Sequence, residues 1–134
     1  MNIYDATRPK SLPYPRRTIE RAQRSLLCSP FEMRLFETMC LRSVPLKAIT
    51  GESGTQHGYT RRTVSELTAE NALLWLIQVG VLRREVDGQG ITDRFRLTPL
   101  GRQLVEQYQG SYPRHPSLMD RFYNALSRWF RLPF

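Results

Sequence analysis

The chain has little lysine, histidine or cysteine. Two lysines, Lys10 and Lys47, stand beside 18 arginines. The histidines, His57 and His115, are isolated in loop contexts, and Cys28 and Cys40 have neither metal-ligand spacing nor a CxxC arrangement. This scarcity excludes small zinc modules and dithiol redox motifs, leaving reduced thiols in a core and surface histidines as the expected roles. No apolar run approaches the ~20 residues a bilayer-spanning helix needs. The opening MNIYDATRPKSLPYPRR carries charge and proline but no apolar signal core. No GK[ST] follows the glycines of 51–63, and Gly-Glu-Ser-Gly is not a nucleophile elbow. With no carboxylate pair or Cys/His constellation either, the expectation is a cytoplasmic protein that is not an enzyme and uses no metal or cofactor.

What the chain does have is arginine, unevenly spread. Net charge is +8 over 134 residues. Residues 1–27 hold six basic and two acidic side chains, residues 28–110 ten and nine, and residues 111–134 four and one. The middle is therefore close to neutral and the excess sits at both ends. A basic chain suits an anionic partner such as nucleic acid or a lipid surface.

Three segments follow from pattern. Residues 1–15 read as a flexible basic arm. Residues 16–110 read as one domain, beginning with an extra helix over 16–28 whose Ile19, Ala22 and Leu26 share a face. Ser29-Pro30-Phe31-Glu32 reads as a capped helix start, with the helix running to Arg42 and burying Phe31, Leu35, Phe36, Met39 and Cys40. Residues 44–50 suggest a short strand or turn entering a brief helix, and the Gly/Ser/Thr-rich 51–63 reads as loop. A long helix is expected over 63–79, polar in its first half and apolar almost all round in its second, ended by Gly80. Thr98-Pro99 starts a further helix that buries Leu100, Leu104, Val105 and Tyr108. Residues 111–134 read as a linker and an amphipathic helix with Leu118, Phe122, Leu126, Trp129 and Phe130 on one face.

Between the last two domain helices lies GVLRREVDGQGITDRFRLTPLG, a strand, tight turn and strand. A two-residue Gly-X turn at Gly88-Gln89 would pair Val86 with Ile91, Arg84 with Asp93 and Leu82 with Phe95. The opposite face would set Arg83 against Arg94, with Arg96 nearby and Glu85 opposite Thr92. Like charges directly opposed cost stability unless an anion offsets them, so this face is a candidate binding surface.

Apolar helix, glycine, arginine-bearing hairpin and an LTPLG helix start together resemble the winged helix-turn-helix family over about residues 31–108, in its MarR/PadR-like wing pattern. The resemblance implies a mainly α fold with a small β-hairpin and N- and C-terminal helical extensions. It implies that 63–79 is the recognition helix and 81–97 the wing. It further implies DNA contacts from Arg61, Arg62, Thr63, Ser65, Thr68 and Asn71, and from the wing residues Arg83, Arg94 and Arg96. The whole chain is also similar to a small cyanobacterial protein family.

The function expected first is a transcriptional regulator on double-stranded DNA, with the wing on phosphates and helix 63–79 in the major groove, dimerised through the C-terminal helix. Against it stand Glu66 and Glu70 on the exposed half of that helix, and a turn of about a dozen residues before it. These favour the alternative of a winged-helix adaptor that docks a protein partner through its last helix. A third reading, peripheral membrane attachment through the arginine- and aromatic-rich last helix, is the weakest of the three.

Overall fold

A computed structural model describes residues 14–108. In this range the protein is mainly helical with a small three-stranded antiparallel sheet. In chain order the elements are α1 (Arg16–Cys28), α2 (Met33–Leu41), β1 (Val44–Pro45), α3 (Leu46–Ile49), α4 (Gly51–Gln56), α5 (Glu66–Gln78), β2 (Leu82–Asp87), β3 (Gly90–Leu97) and α6 (Pro99–Tyr108). The sheet order is β1-β3-β2.

The expected apolar faces form one core. Leu35, Phe36 and Met39 of α2, Leu73 and Leu76 of α5, Phe95 of β3 and Leu104 and Val105 of α6 are fully buried together. Helix α1 is pinned to this core by Ala22 and Leu26 and by one buried polar contact. Ser25 Oγ accepts from Trp75 Nε1 at 3.0 Å and donates to its own helix at Arg21 O, 2.8 Å. Both partners of this inter-helix bond are satisfied, so burying the indole N–H and the hydroxyl carries little penalty.

Several boundaries obey local chemistry. Ser65 caps α5, its Oγ accepting from Thr68 N at 3.1 Å. Gly80, with φ +91, ends α5 in the left-handed region, with Gly80 N donating to Ile77 O and Val81 N to Leu76 O. Thr98 caps α6, its Oγ1 accepting from Gly101 N at 3.0 Å, while Pro99 occupies the first helical position. Gly101 has a second reason to be glycine: a Cβ there would lie 2.3 Å from Val81 O. The LTPLG start of α6 thus both caps a helix and lets it approach the backbone between α5 and β2.

Elsewhere the structure corrects the sequence reading. Ser29 does not cap α2. Its hydroxyl donates to Leu26 O at 2.8 Å, closing the end of α1, because Phe31 is drawn into an antiparallel bridge with Thr60. Glu32 N donates to Tyr59 O at 2.8 Å, and α2 starts only at Met33. Residues 51–63 are not all loop, since 51–56 form α4. The glycines that suggested a loop are what let α4 fold back on α3. Gly51 turns the chain with φ +58, and Gly54 packs so closely that a Cβ would lie 2.0 Å from Ile49 O. The long helix starts at Glu66 rather than Thr63.

The hairpin register also differs. Val86 pairs with Ile91 as expected, and Asp87 with Gly90. Gly90 rather than Gly88 takes the positive φ, at +119, and Gln89 N donates to Asp87 Oδ1 at 2.7 Å. Beyond that tip an irregularity shifts the pairing by two residues, giving Arg84↔Phe95, Arg83↔Arg96 and Leu82↔Leu97. Arg84 therefore does not face Asp93, Leu82 does not face Phe95, and Arg83 does not face Arg94. The bulge is stabilised by its own side chains. Thr92 Oγ1 donates to Glu85 O at 2.7 Å and Arg84 Nη1 donates to Thr92 O at 3.2 Å, so carbonyls without ladder partners are met.

Candidate binding surfaces

The residues singled out for DNA contact fall into two groups. The first surrounds the start of α5. Arg61, Arg62 and Thr63 are exposed just before the helix. Arg61 Nε lies 3.7 Å from Glu32 Oε1, beside the start of α2. Ser65 and Thr68 are tied to each other, the Ser65 hydroxyl donating to Thr68 Oγ1 at 2.9 Å while it caps the helix. Both hydroxyls therefore do structural work. Asn71 is exposed one turn further along.

The second group lies on the outer face of the sheet. Arg83 is exposed and stands directly opposite half-buried Arg96. The like-charge pair expected on this face exists, with Arg96 in place of Arg94. Glu85 Oε2 lies 4.0 Å from Arg96 Nη1 and relieves part of the repulsion. Arg94, paired with Pro45 of β1, donates from Nε to Ser43 Oγ at 3.1 Å. Arg61 contacts Glu32 before α2, and Arg94 contacts Ser43 after it, so about 14 Å of helix separates the two contacts. The expected residues form two groups, not one cluster.

The opposite face of the hairpin carries residues that pattern reading did not assign to a site. Arg84 lies over the Phe95 ring, 5.0 Å from its centroid, and covers it where the core ends. Past Arg84 the same face runs on beyond the core, leaving Val86 63 % and Ile91 74 % exposed as an apolar pair at the tip.

Helix α5 shows a comparable surplus. Leu67, Asn71, Leu74 and Gln78 fall on one outward row at helical spacing, with Leu67 70 % and Leu74 41 % exposed. Glu66 and Glu70 run along one edge of that row, and neither is ion-paired with another described residue. No arginine or lysine occurs between Arg62 and Arg83. The missing cations were legible in the sequence. The leucine row was not, because 72–79 is apolar almost all round and periodicity alone does not say which side is left bare.

Other side chains are quieter. Cys28 and Cys40 are both thiols, partly buried. Burial pushes the Cys40 thiol above its ordinary value, the Arg102 guanidinium opposing the shift and Glu106 and Glu37 adding to it. His57 stacks on Tyr59 with centroids 5.1 Å apart, and its Nδ1 is 2.7 Å from Ser53 O. Among the described residues no group of three or more His, Cys, Asp or Glu is placed to hold a metal, and no helix is long and apolar enough to cross a membrane. The expected interface residues Leu118, Phe122, Leu126, Trp129 and Phe130, His115, and the arm residues before Tyr14 lie outside the described range.

Comparison with known proteins identifies a family. A family model described as Npun_F0494-like covers residues 12–128. No curated protein and no solved structure matches the chain.

Proposed function

The chain belongs to the Npun_F0494-like family, and from that premise we propose that it is a winged-helix-type docking module whose α5 binds a partner protein. The observation that carries this reading is the outward face of α5. In a winged helix-turn-helix arrangement this is the helix placed to meet a ligand, and here it exposes two leucines and an asparagine edged by two glutamates. A helix read into DNA lies between two rows of phosphates. Carboxylates are repelled there, exposed leucines gain little, and the phosphate contacts that dominate affinity require cations this helix lacks. Leucines standing alone on a polar surface are ordinary, but two in one helical row make a contiguous strip that suits a partner helix.

The winged-helix assignment draws support from the order of elements. A helix, a short strand, a helical pair, a longer helix, a two-stranded hairpin and a closing helix follow one another, with the first strand on the outer edge of the hairpin's second. The more specific MarR/PadR-like likeness rests on the hairpin and the LTPLG helix start.

The test is a photo-crosslinking amino acid, Leu74→benzoylphenylalanine, in the full chain inside cells. The expected product is an adduct resistant to nuclease and sensitive to protease. Adducts to nucleic acid alone would overturn the reading.

Double-stranded DNA is the second reading, favoured by one observation: the opposed Arg83 and Arg96, with Arg94 beside them. On this reading the sheet face binds phosphates, and Arg61 and Arg62 add to it. Replacing Arg83 and Arg94 together with alanine should then weaken binding to a labelled random duplex and lower the salt slope by about 2. An unchanged slope removes the wing from DNA binding.

A further inference from the structure

We infer that the open edge of β2 pairs with the β2 edge of a second copy, antiparallel and centred on Arg84, so that two three-stranded sheets become one. This goes beyond the docking role of α5 and does not depend on it. In the order β1-β3-β2, β2 has a neighbour on one side only. On that side Val81 O accepts from Thr98 N at 3.0 Å, and Glu85 O accepts from Thr92 Oγ1 at 2.7 Å. Backbone groups alternate along a strand. Those of Val81, Arg83 and Glu85 therefore turn toward β3, and those of Leu82, Arg84 and Val86 turn away. No described residue hydrogen-bonds to this outward set. A row of unpaired N–H and C=O groups is a template for another strand. The bulge does not blunt it. Residues 92–94 of β3 stand against Glu85 alone, so the extra residues lie in β3 and β2 runs straight.

Charge selects both the partner and the register. Centred on Arg84, all three outward residues pair: Leu82 with Val86 of the second copy, Arg84 with its own equivalent, and Val86 with Leu82 of the second copy. Arg83 then faces Glu85 of the second copy, twice over, in the non-hydrogen-bonded pairs where side chains lie closest. Centring on Arg83 would oppose two exposed arginines. Centring on Glu85 would oppose two carboxylates and leave Leu82 against the turn. The two Arg84 side chains are held apart, because each donates from Nη1 to Thr92 O and lies over its own Phe95 ring. Arg83 and Glu85 suit the new pairing. Within one chain Arg83 is exposed and faces only Arg96. Glu85 reaches Arg96 at no less than 4.0 Å, and its Oε2 accepts no hydrogen bond. Val86, 63 % exposed, gains an apolar neighbour. The two-fold axis is normal to the sheet, so both arginine-bearing faces end on the same side.

The experiment is sedimentation velocity of the purified full chain over a concentration series, with circular dichroism to confirm that each variant is folded. The expected result is a reversible shift from the mass of one chain to twice that mass as concentration rises. Val86→Pro removes an outward N–H without touching the ladder to β3, and should abolish the heavier species. Arg83→Glu and Glu85→Arg should each weaken association by about tenfold or more, because like charges are then opposed. Mixing these two variants should restore it, since each arginine again meets a carboxylate across the axis. A single-chain mass at every concentration overturns the inference. So does a dimer indifferent to Val86→Pro, or a mixture no heavier than its components. Should Glu85→Arg fail to fold beside Arg96, Val86→Pro and Arg83→Glu decide, and association that survives either one overturns the inference.

Discussion

The outward face of α5 and the outer face of the sheet are opposites in charge. The sheet face gathers Arg83, Arg94 and Arg96 around one Glu85, and α5 shows leucines and glutamates with no cation at all. The two faces also differ in what supports them. Arg94 and Arg96 ride on a strand whose reverse side, Phe95 and Leu97, is sealed in the core, and each leans on a neighbour, Ser43 or Glu85. On α5, Leu67 and Leu74 stand exposed, and neither Glu66 nor Glu70 is ion-paired with another described residue. A nearly neutral domain can thus carry two opposite surface chemistries that its net charge averages away. The total of +8 says little about which partner meets which face.

That contrast can be broken or sharpened by substitution. The largest effect should come from Phe95→Ala, which empties the core under the sheet and removes the ring beneath Arg84. It should cost about 3–5 kcal/mol in urea unfolding and disorganise the arginine face. Gly101→Ala should follow, at about 1–3 kcal/mol, because the new methyl meets Val81 O, a backbone atom with little freedom to retreat. Ser65→Ala acts on the other face. It frees one N–H at the start of α5 and should cost about 1 kcal/mol in thermal unfolding, leaving the sheet as it is. Smallest and opposite in sign is Arg83→Thr. Removing one of two opposed arginines should raise stability by about 0.2–1 kcal/mol in the same measurement. A loss of stability there would mean that the arginine pair is offset by an interaction beyond Glu85.

The fold was legible where local signals agreed with tertiary ones. Helix α1 has the bounds its periodicity sets, and Gly80 and Thr98 cap as their chemistry dictates. The hairpin tip was legible because a two-residue turn fixes the pairs beside it. The misses share one cause, a distant partner outbidding a local preference. Ser29 has the right neighbours for a helix cap, but Phe31 finds Thr60 first. Residues 51–56 have a loop's composition, but Gly54 makes room for a helix against Ile49. The bulge depends on Thr92 and Arg84 serving carbonyls across the hairpin, which no alternation pattern announces. For the candidate surfaces, the arginines were placed on the correct face with the wrong partner. The α5 row was missed, because identifying a bare side of an apolar helix requires knowing what covers the rest.

The displacement of two residues in the hairpin has a consequence for how this chain tolerates changes in length. A strand shows alternate residues to alternate sides, so a shift of two is invisible to the division between inside and outside. Leu82 and Leu97 still meet in the core, and Arg83 still faces an arginine. A shift of one would send Phe95 to water and Arg94 and Arg96 into the apolar layer. Insertions and deletions in this hairpin are therefore governed by parity. The hairpin can grow or shrink in even steps while its roots stay in register, and an odd step needs a bulge to absorb it.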